Sequence, residues 1–329
     1  MYRKILIISI IAIFAFGQLQ AQEFAPVGTA VAQFLEIGIG ARGTGMGEAY
    51  TAMTNDAGSA FWNPAGVADV KERNFYTAYN SWPAEIAIGG FSMAMNMGNV
   101  GTFAVSGIYL LTDDMEVTTI YQPEGTGEMF SLTNFAIGLT YARYLTDRLS
   151  VGITNKIVRE DYYGHGYTTW AMDLGTIYHT GFRGLKLGMS ILHFSPEISY
   201  SGEYIDFSDD RSYSVDKPKS FEEWSLPINF RFGVAFDVMN TEQHKITGAA
   251  DMIHPNNNLE QYNFGFEYGF NNLLFLRSGY RFNLDEGGLN FGAGFRYNLI
   301  GNKPMVVDYS FSDLGVLENI HRVSLAVSF

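Results

Sequence analysis

From Arg73 to the last residue the chain alternates apolar and polar positions with a period of two, the mark of strands that turn one greasy and one polar face outward. Three stretches carry the pattern most cleanly. Phe230, Phe232, Val234, Phe236 and Val238 face one way, and Asn229, Arg231, Gly233, Ala235 and Asp237 the other. Tyr262, Phe264, Phe266, Tyr268 and Phe270 oppose Gln261, Asn263, Gly265, Glu267 and Gly269. Leu289, Phe291, Ala293, Phe295, Tyr297 and Leu299 oppose Asn290, Gly292, Gly294, Arg296 and Asn298. The final strand sets Val323, Leu325, Val327 and Phe329 against Ser324, Ala326 and Ser328, and the sequence stops on that aromatic residue, as expected of an outer-membrane barrel whose last strand closes on its first.

Fourteen strands are predicted, at 73–81, 86–96, 100–111, 131–145, 148–160, 168–180, 183–194, 227–239, 244–253, 259–270, 273–283, 288–300, 303–313 and 319–329. Their lengths suit tilted transmembrane strands of about 9–11 residues with short extensions. The connections sort by parity. Counting back from Phe329, every second link is short: Gly301-Asn302, Asn271-Asn272, Asn240 to Gln243, Gly181-Phe182, Thr146-Asp147 and Met97 to Asn99. The long links, Thr112 to Phe130 and Ser195 to Leu226, both fall in the other set. Short periplasmic turns and longer outer loops are the habit of outer-membrane barrels. The expected fold is therefore all-β, a 14-stranded antiparallel transmembrane β-barrel over 73–329, with both ends of the barrel chain periplasmic.

The region before Arg73 reads differently. Arg3 and Lys4, the apolar run Ile5 to Phe16 and the exit Gly17 to Ala21 form a predicted secretory signal, 1–21. Twelve apolar residues are too few for a spanning helix, which needs about 20. Cleavage after Ala21 exposes Gln22, with no cysteine to carry a lipid. Residues 22–72 are predicted to form an N-terminal hatch packed into the periplasmic mouth of the barrel. Phe34, Leu35 and Ile37 suggest a short helix or extended anchor; Gly38, Gly40, Gly43, Gly45 and Gly47 follow, then a helical-looking Glu48 to Thr54. Asn55 to Gly58 and Asn63-Pro64-Ala65-Gly66 are turns. Gly38-Ile-Gly40-Ala-Arg-Gly43 matches a dinucleotide fingerprint by letter, but no βαβ unit surrounds it, so the glycines are assigned to close backbone packing.

Composition narrows the function. Without Arg3 and Lys4, 19 basic groups face 34 acidic ones, a net charge of −15, which argues against nucleic acid as a partner. No cysteine is present for disulfides or thiol chemistry. Only 17% of residues are charged, while glycine and aromatics abound, as in barrel strands with aromatic girdles and a crowded interior. Tyr141, Tyr144, Tyr268, Phe270 and Tyr297 fall near the predicted periplasmic strand ends, and Tyr262, Tyr280, Phe282, Tyr309 and Phe311 near the outer ends. Tyr162, Tyr163 and Tyr167, with Gly164 and Gly166, are placed in an outer loop.

The block from Phe34 through Gly38, Arg42, Met46 and Gly47 to Phe61-Trp62-Asn63-Pro64-Ala65-Gly66 resembles the PorV/PorQ family, outer-membrane barrels of the type IX secretion system related in fold to the FadL fatty-acid transporters. The resemblance continues through Leu139 to Gly152, Lys156 and Ala171 to Tyr178. It implies a fourteen-stranded barrel with an N-terminal hatch, a bacterial outer-membrane location, Bacteroidetes-type bacteria, and members that hold or shuttle secreted proteins. The expected function is accordingly a non-enzymatic component of type IX secretion or surface attachment, in contact with membrane lipid and with secretion-system proteins or cargo. The alternative is a FadL-like channel for a hydrophobic small molecule.

Candidate site residues follow from both readings. In the hatch they are Arg42, Gly43, Gly45, Met46, Gly47, Asp56, Trp62, Asn63, Pro64 and Gly66, with Asp56 and Asn63 bonding its turns and Trp62 anchoring it to the wall. Alternation puts Lys156, Asp173, Arg231, Asp237, Glu267, Arg277, Arg281, Arg296 and Asp308 in the lumen. Such a lining suits either a substrate path or an internal salt-bridge network. The network is favoured, because charges facing lipid would cost about 2–4 kcal/mol each at the midplane. No metal or cofactor is expected: the six histidines, at 165, 179, 193, 244, 254 and 321, lack His-Glu-x-x-His spacing. No Gly-x-Ser-x-Gly elbow is present to suggest a hydrolase.

Overall fold

The computed structural model describes residues 25–204, 218–284, 286–299, 303–317 and 319–329. The predicted signal segment 1–21 and residues 22–24 lie outside them. Fourteen antiparallel strands close into one barrel: β1 (Arg73–Trp82), β2 (Ile86–Asn96), β3 (Thr102–Leu111), β4 (Thr133–Thr146), β5 (Leu149–Tyr162), β6 (His165–His179), β7 (Lys186–Phe194), β8 (Asn229–Asn240), β9 (His244–Pro255), β10 (Gln261–Phe270), β11 (Leu274–Phe282), β12 (Leu289–Leu299), β13 (Lys303–Asp313) and β14 (Asn319–Ser328). Each strand pairs with its successor. β1 pairs with β14 from Asn74↔Ser328 to Ser81↔His321, so every strand has two neighbours and the ring has no edge. Only such closure lets strands cross a bilayer, since an open edge would leave backbone N–H and C=O groups unpaired in hydrocarbon.

Alternation works as predicted along the strands. In β8 the residues from Asn229 to Ala235 alternate between buried and partly exposed, and β10 alternates in the same way. The apolar set faces outward and the small or polar set faces the lumen. Short links gather at the end where β1 begins and β14 finishes, called here the turn end; the long links gather at the opposite, loop end. Two differences from the predicted elements have local causes. β6 starts at His165 rather than 168, because Tyr163 and Gly164 both take positive φ (51° and 84°) and make a two-residue hairpin turn. Tyr167 therefore lies in a strand and points into the lumen, 9% exposed, instead of sitting in a loop. The long loops also carry short ladders: Met115–Glu116 pairs with Met129–Phe130, and Glu203–Tyr204 with Lys219–Ser220.

The closing strand offers a direct test. The Phe329 backbone N–H donates to the Arg73 carbonyl (3.0 Å), the last rung of the seam. An acidic residue at a membrane interface costs a folded barrel only about 0–1 kcal/mol. Phe329→Asp should therefore change stability little once folded, yet reduce assembly. The expected result on unheated gels is less of the fast-migrating folded band with signal cleavage unaffected; an undiminished folded band would mean that the terminal aromatic is incidental.

Candidate functional site: the filled lumen

The interior of the barrel is occupied by the chain that precedes it. Residue 30 begins at the loop end, where Ala30 bridges Ser225 and the Val31 N–H donates to the Ser225 carbonyl (3.1 Å). Residue 70 reaches the turn end, where Asn96 Nδ2 donates to the Val70 carbonyl (2.8 Å). Between them come 3-10 turns at Gln33–Glu36, Ala57–Phe61 and Pro64–Asp69, and one short α-helix at Ala41–Gly45. The expectation of a unit confined to the periplasmic mouth is therefore corrected: the segment runs the length of the lumen. So is the expectation of a helix at Glu48 to Thr54, which forms turns instead, with Glu48 at φ 62°.

Glycines in the wall allow this close fit. A Cβ at Gly279 would lie 2.2 Å from the Gly47 nitrogen, one at Gly152 2.3 Å from the Pro64 carbonyl carbon, and one at Gly175 2.0 Å from Asn63 Oδ1. On the segment side, Gly45 stacks on Gly292 and Gly66 on Thr54, while Gly43 abuts Trp62. Met46 is fully buried, and a Cβ at Gly265 would meet its carbonyl. Asn63 is a hub. Its Oδ1 accepts from the Ala65 N–H (3.1 Å), which caps the turn begun by Pro64, and its Nδ2 donates to the carbonyls of Thr51 (2.9 Å) and Thr176 (3.1 Å). Asp56 caps the preceding turn reciprocally with Ser59. Trp62 is held both within the segment and against the wall. Its Nε1 donates to the Ile39 carbonyl (2.9 Å), its ring meets Tyr50 edge-on at 5.7 Å, and the Arg231 guanidinium lies over it at 5.3 Å.

Ion pairs tie segment and wall together. Glu267 accepts from Arg42 (3.0 Å) and Arg277 (2.7 Å), and Arg277 also reaches Asp308 (2.7 Å). Glu48 meets Arg281 at 3.1 Å and Arg231 at 3.8 Å. Lys156 pairs with Asp173 (2.7 Å) and donates to His193 Nδ1 (2.8 Å). Of the nine predicted luminal charges, Asp237 and Arg296 stand apart at the turn-end rim, where Asp237 meets Lys245 (3.3 Å) and Arg296 donates to Asn272 (2.6 Å).

Among the described residues, sequence reasoning left out the buried groups Glu48, Glu160, Asp251 and Arg322, besides His193. Glu160, Asp251 and Arg322 share strand parity with luminal neighbours, so alternation could have found them; Glu48 lies outside any strand and carries no periodic signal. Glu160 is a second hub. It accepts from the Ala32 N–H (3.0 Å), Tyr162 (2.7 Å), Tyr167 (2.8 Å) and Tyr200 (2.8 Å), which docks both the segment and the chain around Tyr200 on the wall. Asp251 accepts the N–H groups of Tyr50 (3.0 Å) and Thr51 (2.9 Å).

Among the described residues, a cavity of several hundred cubic ångströms lies at each mouth. The turn-end cleft, about 610 Å³, is lined by charges that include Arg42, Asp56, Arg277, Arg296, Lys303 and Asp308. The loop-end cavity, about 400 Å³, has Phe34, Glu48, Trp82, Arg281 and the 3% exposed Arg322 on its walls. Among the described residues no group of three or more His, Cys, Asp or Glu is placed to hold a metal ion.

A closed barrel filled by its own N-terminal chain can be compared with known proteins. Residues 19–182, about half of the chain, match the family described as "Type IX secretion system protein PorV". No curated protein sequence matches. Among solved structures, the "CymD monoaromatic hydrocarbon channel" aligns over 89% of this chain and 98% of its own at 13% identity (TM-score 0.58). The Ralstonia pickettii toluene transporter TbuX aligns over 88% and 97% at 12% identity (TM-score 0.57), and a Pseudomonas aeruginosa FadL homologue over 88% and 97% at 11% identity (TM-score 0.55). At such identities these structures share the fold, an outer-membrane barrel of FadL type. The chain belongs to the PorV family of outer-membrane β-barrels.

Proposed function

We propose that the mature chain, beginning at Gln22, serves type IX protein secretion or surface attachment without catalysis, and binds secretion-system proteins or cargo at its loop end, which faces the cell exterior. The observation that carries this reading is the filled lumen. A passage for a hydrophobic solute, the use named for the structural neighbours, needs an apolar route. Here the turn-end mouth leads to a charged cleft, the loop-end cavity mixes Phe34, Trp82 and Leu110 with Glu48, Arg281 and Arg322, and the space between is taken by a segment tied to the wall through Arg42–Glu267 and Glu48–Arg281.

The loop end also presents a contact surface. The ladder of Met115–Glu116 with Met129–Phe130 carries a tight turn at its tip, where the Thr119 and Gln122 N–H groups and carbonyls bond each other (3.1 and 3.2 Å). That turn holds Ile120 and Tyr121 almost fully in solvent, at 89% and 88% exposure. Two adjacent large apolar side chains on a braced tip are suited to insertion into a partner pocket. Replacing both by aspartate should reduce co-purification of secretion-system proteins from solubilised membranes by more than about tenfold, the loss of one interface hot spot. The folded band should stay unchanged. Undiminished co-purification would remove the tip from the binding surface.

A further inference from the structure

The outer wall of the barrel has a concave region. Across β4 to β8 the lipid-facing surface holds a groove of about 580 Å³. Its floor is the register row Val151↔Thr176↔Met189. One rim is the neighbouring row, in which Tyr141, Ile153, Leu174, Ile191 and Phe230 stand side by side; Leu145 borders the other. The dent forms because Thr176 is short where Leu174 and Tyr178, its neighbours on the same face, are long. A bulge in β7 opposite Met172 and Leu174, where His193 takes φ 63°, adds a local bend to that strand. The floor is also braced from inside. Gly152 and Gly175 let Pro64 and Asn63 press directly on the wall, and Asn63 holds the Thr176 carbonyl.

One charge borders this apolar surface. Arg143 is exposed on the outward file of β4, with Leu139, Tyr141 and Leu145. Among the described residues its guanidinium has no hydrogen-bond or ion-pair partner, although acidic groups outnumber basic ones 34 to 21 in the chain. It stands close to the turn end, four residues before Asp147, at the border of the hydrocarbon layer. There the membrane itself can supply the missing anion, and the planar fork of arginine matches a phosphate better than a point charge does.

We propose that the groove is a site for one glycerophospholipid of the turn-end leaflet, its phosphate on Arg143 and one acyl chain laid over Thr176 between the two rims. The site combines a cation without a protein partner, an apolar trough long enough to cross several strands, and a backing that cannot cave in. A lipid held there is a fixed part of the surface that this face offers to any neighbour in the membrane. This proposal rests on the outer-membrane location and not on the partner-binding role, so each can fail alone.

The test uses the full mature barrel reconstituted into vesicles of phosphatidylethanolamine and phosphatidylglycerol, re-extracted in mild detergent, and weighed by native mass spectrometry. Wild type should carry one phospholipid through the exchange. Arg143→Glu should retain about tenfold less, the loss of one charge-assisted hydrogen bond, while Arg143→Lys keeps an intermediate amount. Thr176→Trp, which fills the trough and leaves Arg143 in place, should lose the lipid as well. Leu276→Trp, an equal change on the lipid-facing surface of β11, should not. Unheated gels report that each variant is folded. Equal retention in all four variants overturns the proposal. So does a protein, including a second copy of this chain, that is displaced by Thr176→Trp while bound lipid stays constant.

Discussion

Replacing Arg277 with methionine is expected to destabilise the folded barrel by about 3–5 kcal/mol, because it leaves buried carboxylates without their shared cation. Glu267 would keep Arg42, but Asp308 has no other hydrogen-bond donor among the described residues. The favourable terms in such a pair come from geometry, and here both contacts are 2.7 Å from one guanidinium that reaches β10 and β13 from β11. Urea unfolding in detergent, followed by the loss of the fast-migrating band, measures the change. Arg277→Met combined with Asp308→Asn should recover part of it, since removing both partners costs less than removing one. A loss below about 1 kcal/mol for the single variant would show that the pairs are screened by water entering from the turn-end cleft.

The double change Asn63→Ala with Pro64→Ala is expected to cost about 2–5 kcal/mol. Asn63 is fully buried, and its loss orphans the Thr51 carbonyl and the Ala65 N–H and removes a second bond to the Thr176 carbonyl. Pro64 also sets the backbone of the first residue of its turn, a preference that alanine lacks. The same variant separates two functions. For a secretion component, the segment fills and braces the barrel, so weakening it lowers stability without giving uptake of a hydrophobic solute. For a FadL-like channel the segment is a gate, and uptake of a fatty acid into cells should depend on Asn63 and Pro64 while the wild-type barrel is active. That second result would overturn the assignment proposed above.

The strands were legible because the bilayer makes alternation obligatory. Most lipid-facing residues must be apolar, so a period of two persists from Arg73 onward, and predicted ends mostly fall within three residues of those observed. The seam between β1 and β14 also followed, from the even count and the parity of the links. The N-terminal segment was legible only in its turns. Asn63-Pro64 and Asp56 announced themselves through residue chemistry, but the path from loop end to turn end did not. Ala41–Gly45 contains two glycines and reads as a poor helix; it forms because tertiary contacts hold it, with Thr44 Oγ1 bonded to the Gly40 carbonyl (3.0 Å) and to Ser310 Oγ (2.8 Å). Tyr167 was misplaced for a related reason: Gly164 and Gly166 suggested a longer loop, whereas a tight turn needed only one of them. The groove beside Arg143 had no signature at all, since a dent arises from neighbours on five different strands.

A ring that closes around its own leading segment has an order of events written into it. Residues 30–70 are already within the enclosure when β1 and β14 meet, and their turns bond to strands on every side, from Asn74 in β1 to Ser324 in β14. Threading them through a finished ring would mean stripping those bonds in a space with no water to replace them. Filling therefore precedes sealing. The newborn chain must keep residues 30–70 in place while twelve further strands are laid down between the first and the last, and a barrel caught before the final strand docks should yield that segment to a protease that cannot touch it afterwards.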